Sequence, residues 1–216
     1  MAPVRLKYQT LEFGKIDIHL CSLRNKQEFS DPNGEAEKLG ISSAAWPIFG
    51  IVWPSSIVLA RFIMDFETSN KRILEVGCGL GLSSILLNKQ GHDITATDHH
   101  PSANGFLTRN TLLNGDPAIP FERVGWADLD DQLGLFDLII GSDLLYEDEH
   151  IELLSHFLVS HSRAHCEIII VDPGRGRKNK LIQQMEKNDF SSVVVKIDKS
   201  SSQYTDFNGV VLIFSR

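Results

Sequence analysis

The stretch Glu75-Val76-Gly77-Cys78-Gly79-Leu80-Gly81, directly after the apolar Arg72-Ile73-Leu74, constrains this chain more than any other. An apolar run that ends in alternating glycines reads as a buried strand turning sharply into a loop, because glycine lacks the Cβ that blocks tight turns and close approach to a ligand. Leu82 to Gln90 then carries a helical pattern, so the local order is strand, glycine loop, helix. The N-terminus of a helix behind such a loop is a ready site for a nucleotide cofactor. Glycines also serve loops that merely need to turn, so the surrounding residues must decide between the two readings.

The next apolar run, Asp93-Ile94-Thr95-Ala96-Thr97, closes on Asp98, twenty-one positions after Gly77. In an open α/β sheet ligands bind beyond the carboxyl ends of the strands, and an acid at this spacing can accept both hydroxyls of a ribose. Aspartate is also a good helix cap, which is the competing role for Asp98. A dinucleotide fingerprint requires glycine or alanine at position 82; Leu82 stands there, and the third glycine is Gly81. A pyrophosphate is therefore not indicated.

The 216 residues suffice for one full α/β domain, here 46–216, preceded by an extension over 1–45. In the extension, Val4 to Leu20 alternates apolar and polar residues about Phe13-Gly14-Lys15 and predicts a β-hairpin lying outside the nucleotide-binding core. Residues 24–43 read as an irregular loop with a helical turn. Trp46 to Pro54 is strongly apolar and leads into an amphipathic helix over Ser55 to Asp65, with Pro54 in its first turn. From Lys71 on, strands are expected near 72–76, 93–97, 120–124, 136–141, 166–171, 191–197 and 208–214, and helices near 82–90, 102–114, 149–162 and 178–188. Runs such as Ile168-Ile169-Ile170-Val171 look buried on both faces, as central parallel strands are. Only a polar segment, Asp198 to Gln203, joins the last two strands, so that pair is expected to be antiparallel at one edge of the sheet. The expected fold is thus a Rossmann-like, seven-stranded, mostly parallel sheet with an antiparallel last strand, helices on both faces and an N-terminal hairpin.

Composition narrows the partners. No apolar run approaches the roughly 20 residues that span a bilayer. The N-terminus has no signal-like apolar segment, and the three cysteines Cys21, Cys78 and Cys166 are odd in number and scattered, which points to a reducing cytoplasmic setting. Neither they nor the eight histidines have metal-ligand spacing, so no metal is assigned. A net charge of -7 argues against broad nucleic-acid binding. A protein or small-molecule partner fits better.

The pattern Glu-x-Gly-x-Gly-x-Gly with its downstream acid resembles the first motif of the seven-strand S-adenosylmethionine-dependent methyltransferases, a resemblance covering residues 46–214. It implies S-adenosyl-L-methionine as cofactor, with Glu75, Gly77, Cys78, Gly79 and Gly81 beneath its methionine part and Asp98 at its ribose. Gly125-Trp126-Ala127-Asp128, after the third strand, and Ser142-Asp143-Leu144-Leu145-Tyr146-Glu147, after the fourth, are similar to the tryptophan loop and the Asp-x-x-Tyr motif of the non-SET protein-lysine methyltransferases. That likeness places Trp126 on adenine and Ser142 among the cofactor-binding residues; Val52-Trp53-Pro54-Ser55 followed by Leu59-Ala60, similar to the tryptophan-led segment of those enzymes, places Trp53 over the cofactor. Asp172-Pro173-Gly174-Arg175 resembles the branch acting on the electron-transfer flavoprotein β subunit. The resemblance implies a protein-lysine substrate, with Asp143 orienting the amine, Tyr146 walling its channel, and Glu147, Asp172 and Arg175 on the substrate side.

The chemistry agrees with such residues. Methyl transfer from a sulfonium needs a neutral nucleophile, and a lysine of pKa about 10.4 is uncharged in one molecule in about 2,500 at pH 7, a cost of about 4.6 kcal/mol. Aromatic burial lowers the amine's pKa, whereas an opposing carboxylate raises it, so orientation is the role suited to Asp143. Residues alone leave rivals open: a small amine, an arginine or a nucleobase as acceptor, or a catalytically silent binding module. For Asp143 itself the rival role is capping a helix that begins at Leu144.

Overall fold

The computed structural model describes residues 4–26, 29–128, 131–146, 150–197 and 207–216. Two strands, β1 (Leu6–Phe13) and β2 (Ile16–Leu23), are followed by a short helix α1 (Glu35–Lys38), a 3-10 turn at Ile48–Gly50 and α2 (Pro54–Met64). The remaining chain alternates β3 (Arg72–Val76), α3 (Leu82–Lys89), β4 (Asp93–Asp98), α4 (Ala103–Leu113), β5 (Phe121–Arg123), β6 (Phe136–Ser142), α5 (His150–Ser160), β7 (Ser162–Asp172), α6 (Lys178–Glu186), β8 (Ser191–Lys196) and β9 (Val210–Ser215). The expected elements are present, with ends shifted by a few residues. The polar segment Asp198 to Gln203 lies outside the described residues.

Strands β3 to β9 form one sheet in the order β5-β4-β3-β6-β7-β9-β8. The five strands from β5 to β7 run parallel, and β9 inserts antiparallel to both β7 and β8. The expected antiparallel last pair is there, but the final strand lies inside the sheet and β8 forms its edge. The strand order reverses at β3, which has β4 on one side and β6 on the other, so the crevice for a ligand opens at the carboxyl ends of these three strands.

Period-two alternation sends successive side chains into two cores. Ile73, Leu138 and Ile169 join a cluster with Val58, Leu59 and Ile63 of α2 and Leu82, Ile85 and Leu86 of α3. Leu74, Ile139, Ile168 and Ile170 join another with Leu154, Phe157 and Leu158 of α5 and Leu181 and Met185 of α6. Each such aliphatic side chain contributes about 1.5–3 kcal/mol by leaving water, so the central strands anchor the loops at their ends.

The hairpin turns at Gly14-Lys15, where Gly14 has φ +62. A lone two-stranded hairpin is marginal in water. Here Phe13, Ile18 and Leu20 enter the first core, and the edge of β2 is hydrogen-bonded by Asn110 of α4 and by Asn114, which caps the end of that helix. Asn114 accepts from the His19 N–H at 2.9 Å and donates to the His19 carbonyl at 2.8 Å. Asn110, fully buried, accepts from the Cys21 N–H at 2.7 Å and donates to the Leu80 carbonyl at 3.2 Å. The expectation of a hairpin outside the nucleotide-binding core is therefore corrected: one buried amide ties it to the glycine loop.

Candidate functional site

A cavity of about 740 Å³ opens at the carboxyl ends of β3, β4, β5 and β6. Its floor is the glycine loop. Gly79 has φ +54, and a Cβ there would lie 2.9 Å from the Phe49 backbone oxygen; Gly81 has φ +75, and its Cβ would meet Leu107 at 2.2 Å. Conformation disfavours a side chain at both; at Gly79 the contact is also with backbone that cannot turn aside, whereas at Gly81 it is with the end of the Leu107 side chain. The loop is fastened to β4 by the Cys78 N–H, which donates to the Thr97 carbonyl at 2.9 Å, and by the Thr97 hydroxyl, which donates to the Glu75 carbonyl at 3.0 Å.

Asp98 closes the loop from the side. One of its carboxylate oxygens accepts the Gly79 N–H and the other the His100 N–H, each at 2.8 Å. Burial holds its pKa above the ordinary carboxylate value, against the pull of these two donors. Each oxygen keeps a further lone pair, and Asp98 faces the cavity, where a vicinal diol can be received. Cys78 also lines the cavity; burial pushes its thiol pKa well up, so it is a small apolar contact rather than a nucleophile.

Glu75 and Gly81 do not line the cavity. Glu75 shares the face of β3 that looks toward α3, where its carboxylate accepts the Ser84 N–H at 2.9 Å and the Ser84 hydroxyl. Burial pushes its pKa up to about 7. It holds the first turn of α3, and its placement under the methionine part of a cofactor gives way to that supporting position.

The roof comes from the segment before α2. Leu39, Ser42, Ile48, Phe49 and Trp53 cover the opening, and the Trp53 indole N–H donates to the Ile48 carbonyl at 2.9 Å. The Lys26 ammonium lies 4.1 Å from the centroid of a Trp53 ring. Phe49 stacks on His100 with centroids 4.0 Å apart, and Phe29 and Phe106 pack on the edges. His100 is 5% exposed, its Nδ1 accepts the Ser102 N–H at 3.1 Å, and burial pulls its pKa down to about 4. It is a neutral packing residue. No group of side chains suited to a metal occurs among the described residues.

At the far wall, Trp126 and Tyr146 each meet the His150 ring edge-on with centroids 5.9 Å apart. Ser142, Asp143, Tyr146 and Arg175 also face the cavity. Asp143 has φ +56, and its N–H donates to the Val171 carbonyl at 2.9 Å. It caps no helix from Leu144, since Leu144 and Leu145 are not helical. Arg175 grips its carboxylate as a fork, Nε to Oδ1 at 2.6 Å and a terminal nitrogen to Oδ2 at 2.9 Å. Asp172 is 1% exposed and lies off the cavity; its Oδ1 accepts the Arg175 N–H at 3.3 Å, so it supports the loop that presents Arg175. Glu147 lies outside the described residues.

The structure thus brings Trp53, Gly77, Cys78, Gly79, Asp98, Trp126, Ser142, Asp143, Tyr146 and Arg175 to one cavity. Sequence reasoning missed Leu20, Leu39, Phe49, His100 and His150. The apolar run Trp46 to Pro54 was the available signal for Phe49; a hairpin read as separate gave none for Leu20.

A glycine loop in left-handed conformation, a carboxylate with spare acceptor capacity and an aromatic wall suit a nucleoside cofactor of modest size. With the inserted antiparallel last strand, they define the class of S-adenosylmethionine-dependent methyltransferases. A family model described as lysine methyltransferase matches residues 38–189. The chain belongs to that lysine methyltransferase family. It is 32% identical over 133 residues to the electron transfer flavoprotein beta subunit lysine methyltransferase of Mus musculus, covering 60% of this chain and 51% of the relative. It is also 32% identical over 108 residues to the histone-arginine methyltransferase METTL23 of Xenopus laevis, covering 47% and 46%. The chain spans about half the length of these relatives. Among solved structures, the ribosomal protein L11 methylase of Lactobacillus delbrueckii subsp. bulgaricus superposes with a TM-score of 0.58 at 22% identity, covering 74% of this chain and 76% of that one, and shares the fold.

Proposed function

We propose that this chain binds S-adenosylmethionine in the cavity and methylates the side-chain amine of a lysine in a protein substrate. The cofactor supplies an electrophilic methyl group on a sulfonium. Gly77 and Gly79 offer backbone for close approach, Asp98 accepts the ribose hydroxyls, and Trp53 and Trp126 supply apolar cover. On the acceptor side, Tyr146 and His150 wall the channel, and Asp143 orients the amine through an N–H.

The observation that carries lysine over arginine is the fork between Arg175 and Asp143. An incoming guanidinium is best held by two parallel hydrogen bonds to one carboxylate. Both oxygens of Asp143 already bear such a pair from within the chain. A single amine N–H needs only one remaining lone pair.

We assign the protein to a reducing, cytoplasmic setting, supported by three free and buried thiols; among the described residues no helix is long and apolar enough to cross a membrane. We assign residues 1–45 to a unit that helps to choose the substrate, supported by Leu20 and Leu39 at the cavity.

Calorimetric titration of the full chain with S-adenosylhomocysteine tests the cofactor half. One site is expected, weakened about tenfold or more in Asp98→Asn, since hydrogen bonds to charged groups contribute about 1.5–3 kcal/mol. No heat with the wild-type chain would remove the enzyme reading.

A further inference from the structure

Arg175 reaches Asp143 from a loop built to present it. Gly174 and Gly176 have φ +97 and +83, conformations that free the chain to turn on both sides of the arginine. The Arg175 N–H is held by Asp172, and the Arg177 guanidinium donates to the Arg175 carbonyl at 3.4 Å. The Asp143 side chain is 10% exposed and that of Arg175 is 39% exposed. A pair so open on the cation's side contributes little to folding. Its consequence is where charge lies in the acceptor channel.

A bare carboxylate within about 4–6 Å of an amine favours the protonated form by about 1–3 pKa units. That is the wrong direction for a nucleophile, because only the neutral amine has a free lone pair. A carboxylate already matched by a guanidinium keeps its acceptor geometry and loses most of this field. Among the described residues, the other ionisable groups near the pair are Asp172 beneath the loop, Arg177 at the Arg175 carbonyl, and Tyr146 and His150 in the wall; Asp98, His99, His100 and Asp128 line the cavity on the cofactor side.

We propose that Arg175 is a positioning residue that fixes the Asp143 carboxylate and cancels its charge, so that the acceptor lysine is oriented without being held as an ammonium ion. The proposal rests on the lysine reading above and deepens it. It also accounts for an acid at the acceptor position of an enzyme that must keep its amine neutral.

The test uses n-butylammonium as a stand-in for the lysine end, titrated into the full chain at pH 7 and followed by NMR, with and without S-adenosylhomocysteine. Arg175→Gln is expected to bind the cation about tenfold more tightly than wild type, the equivalent of one pKa unit. Arg175→Lys, which keeps the charge, should stay near the wild-type value. The tightening should disappear in Arg175→Gln combined with Asp143→Asn. Equal affinity in wild type and Arg175→Gln would overturn the proposal, as would tightening that survives loss of the Asp143 charge. S-adenosylhomocysteine affinity within a few-fold of wild type serves as the folding control; should Arg175→Gln fail it, Arg175→Met with the same double variant gives the same comparison. Methyl transfer plays no part in this readout, so its outcome is separate from that of the lysine reading.

Discussion

The amide of Asn110 accepts the Cys21 N–H at 2.7 Å and, with its other end, donates to the Leu80 carbonyl at 3.2 Å. A single buried side chain therefore joins the N-terminal hairpin to the loop that floors the cofactor cavity. Asn110→Leu leaves a buried N–H and a buried carbonyl without partners, each a loss of about 1–3 kcal/mol in stability. Urea unfolding measures it, and S-adenosylhomocysteine affinity should fall in parallel because the floor loosens. A variant as stable as wild type would show that the link is incidental.

Gly79→Ala places a methyl group 2.9 Å from the Phe49 carbonyl oxygen in a left-handed conformation. The conformation alone costs a residue with a Cβ about 1–2 kcal/mol. The contact is with backbone, so no side-chain rotation relieves it, and the strain falls on the floor and the roof together. We expect weaker cofactor binding and a lower midpoint in thermal unfolding; unchanged binding would mean that the roof segment yields freely.

Glu75 gives a pH dependence of definite sign. In the folded chain its carboxyl keeps its proton up to about pH 7, whereas an unfolded glutamate releases it near 4.5. Between these values the native state binds more protons than the unfolded state, so this group's contribution is full below pH 4.5 and is lost as pH rises through about 7. The shift corresponds to about 3 kcal/mol. His100, pulled down to about 4, acts in the opposite sense between pH 4 and 6.5. The difference between wild type and Glu75→Gln isolates Glu75: denaturation at pH 5 and pH 8 should show the wild-type chain losing stability relative to the variant as pH rises. A constant difference would place the Glu75 titration elsewhere.

The strand, glycine loop, helix and Asp98 were legible in the sequence because they are contiguous and because each residue type is dictated by local backbone geometry. Asp143 and Tyr146 were legible for the same reason, as a short motif closing a buried strand. Glu75 was misplaced because strand alternation assigns a face without saying what covers it; α3 covers that face and Ser84 meets the carboxylate. The inward place of β9 was hidden too, since edge and interior antiparallel strands share the same alternation. The Asn110 link spans 89 residues and the Arg175–Asp143 fork 32, and no local pattern encodes either. Asp172 looked like a substrate group by position, but its burial makes it a support for Arg175.

Lysine methylation and the part of Asp143 in it are measured together by methyl transfer from labelled S-adenosylmethionine to proteins in an extract of cells lacking this chain, with the modified residue located by mass spectrometry. Label is expected on lysine, reduced about a hundredfold or more in Asp143→Asn, a loss of about 2.7 kcal/mol in transition-state stabilisation, while S-adenosylhomocysteine affinity stays within a few-fold. Label on arginine or on RNA, or equal transfer by wild type and Asp143→Asn, would contradict it.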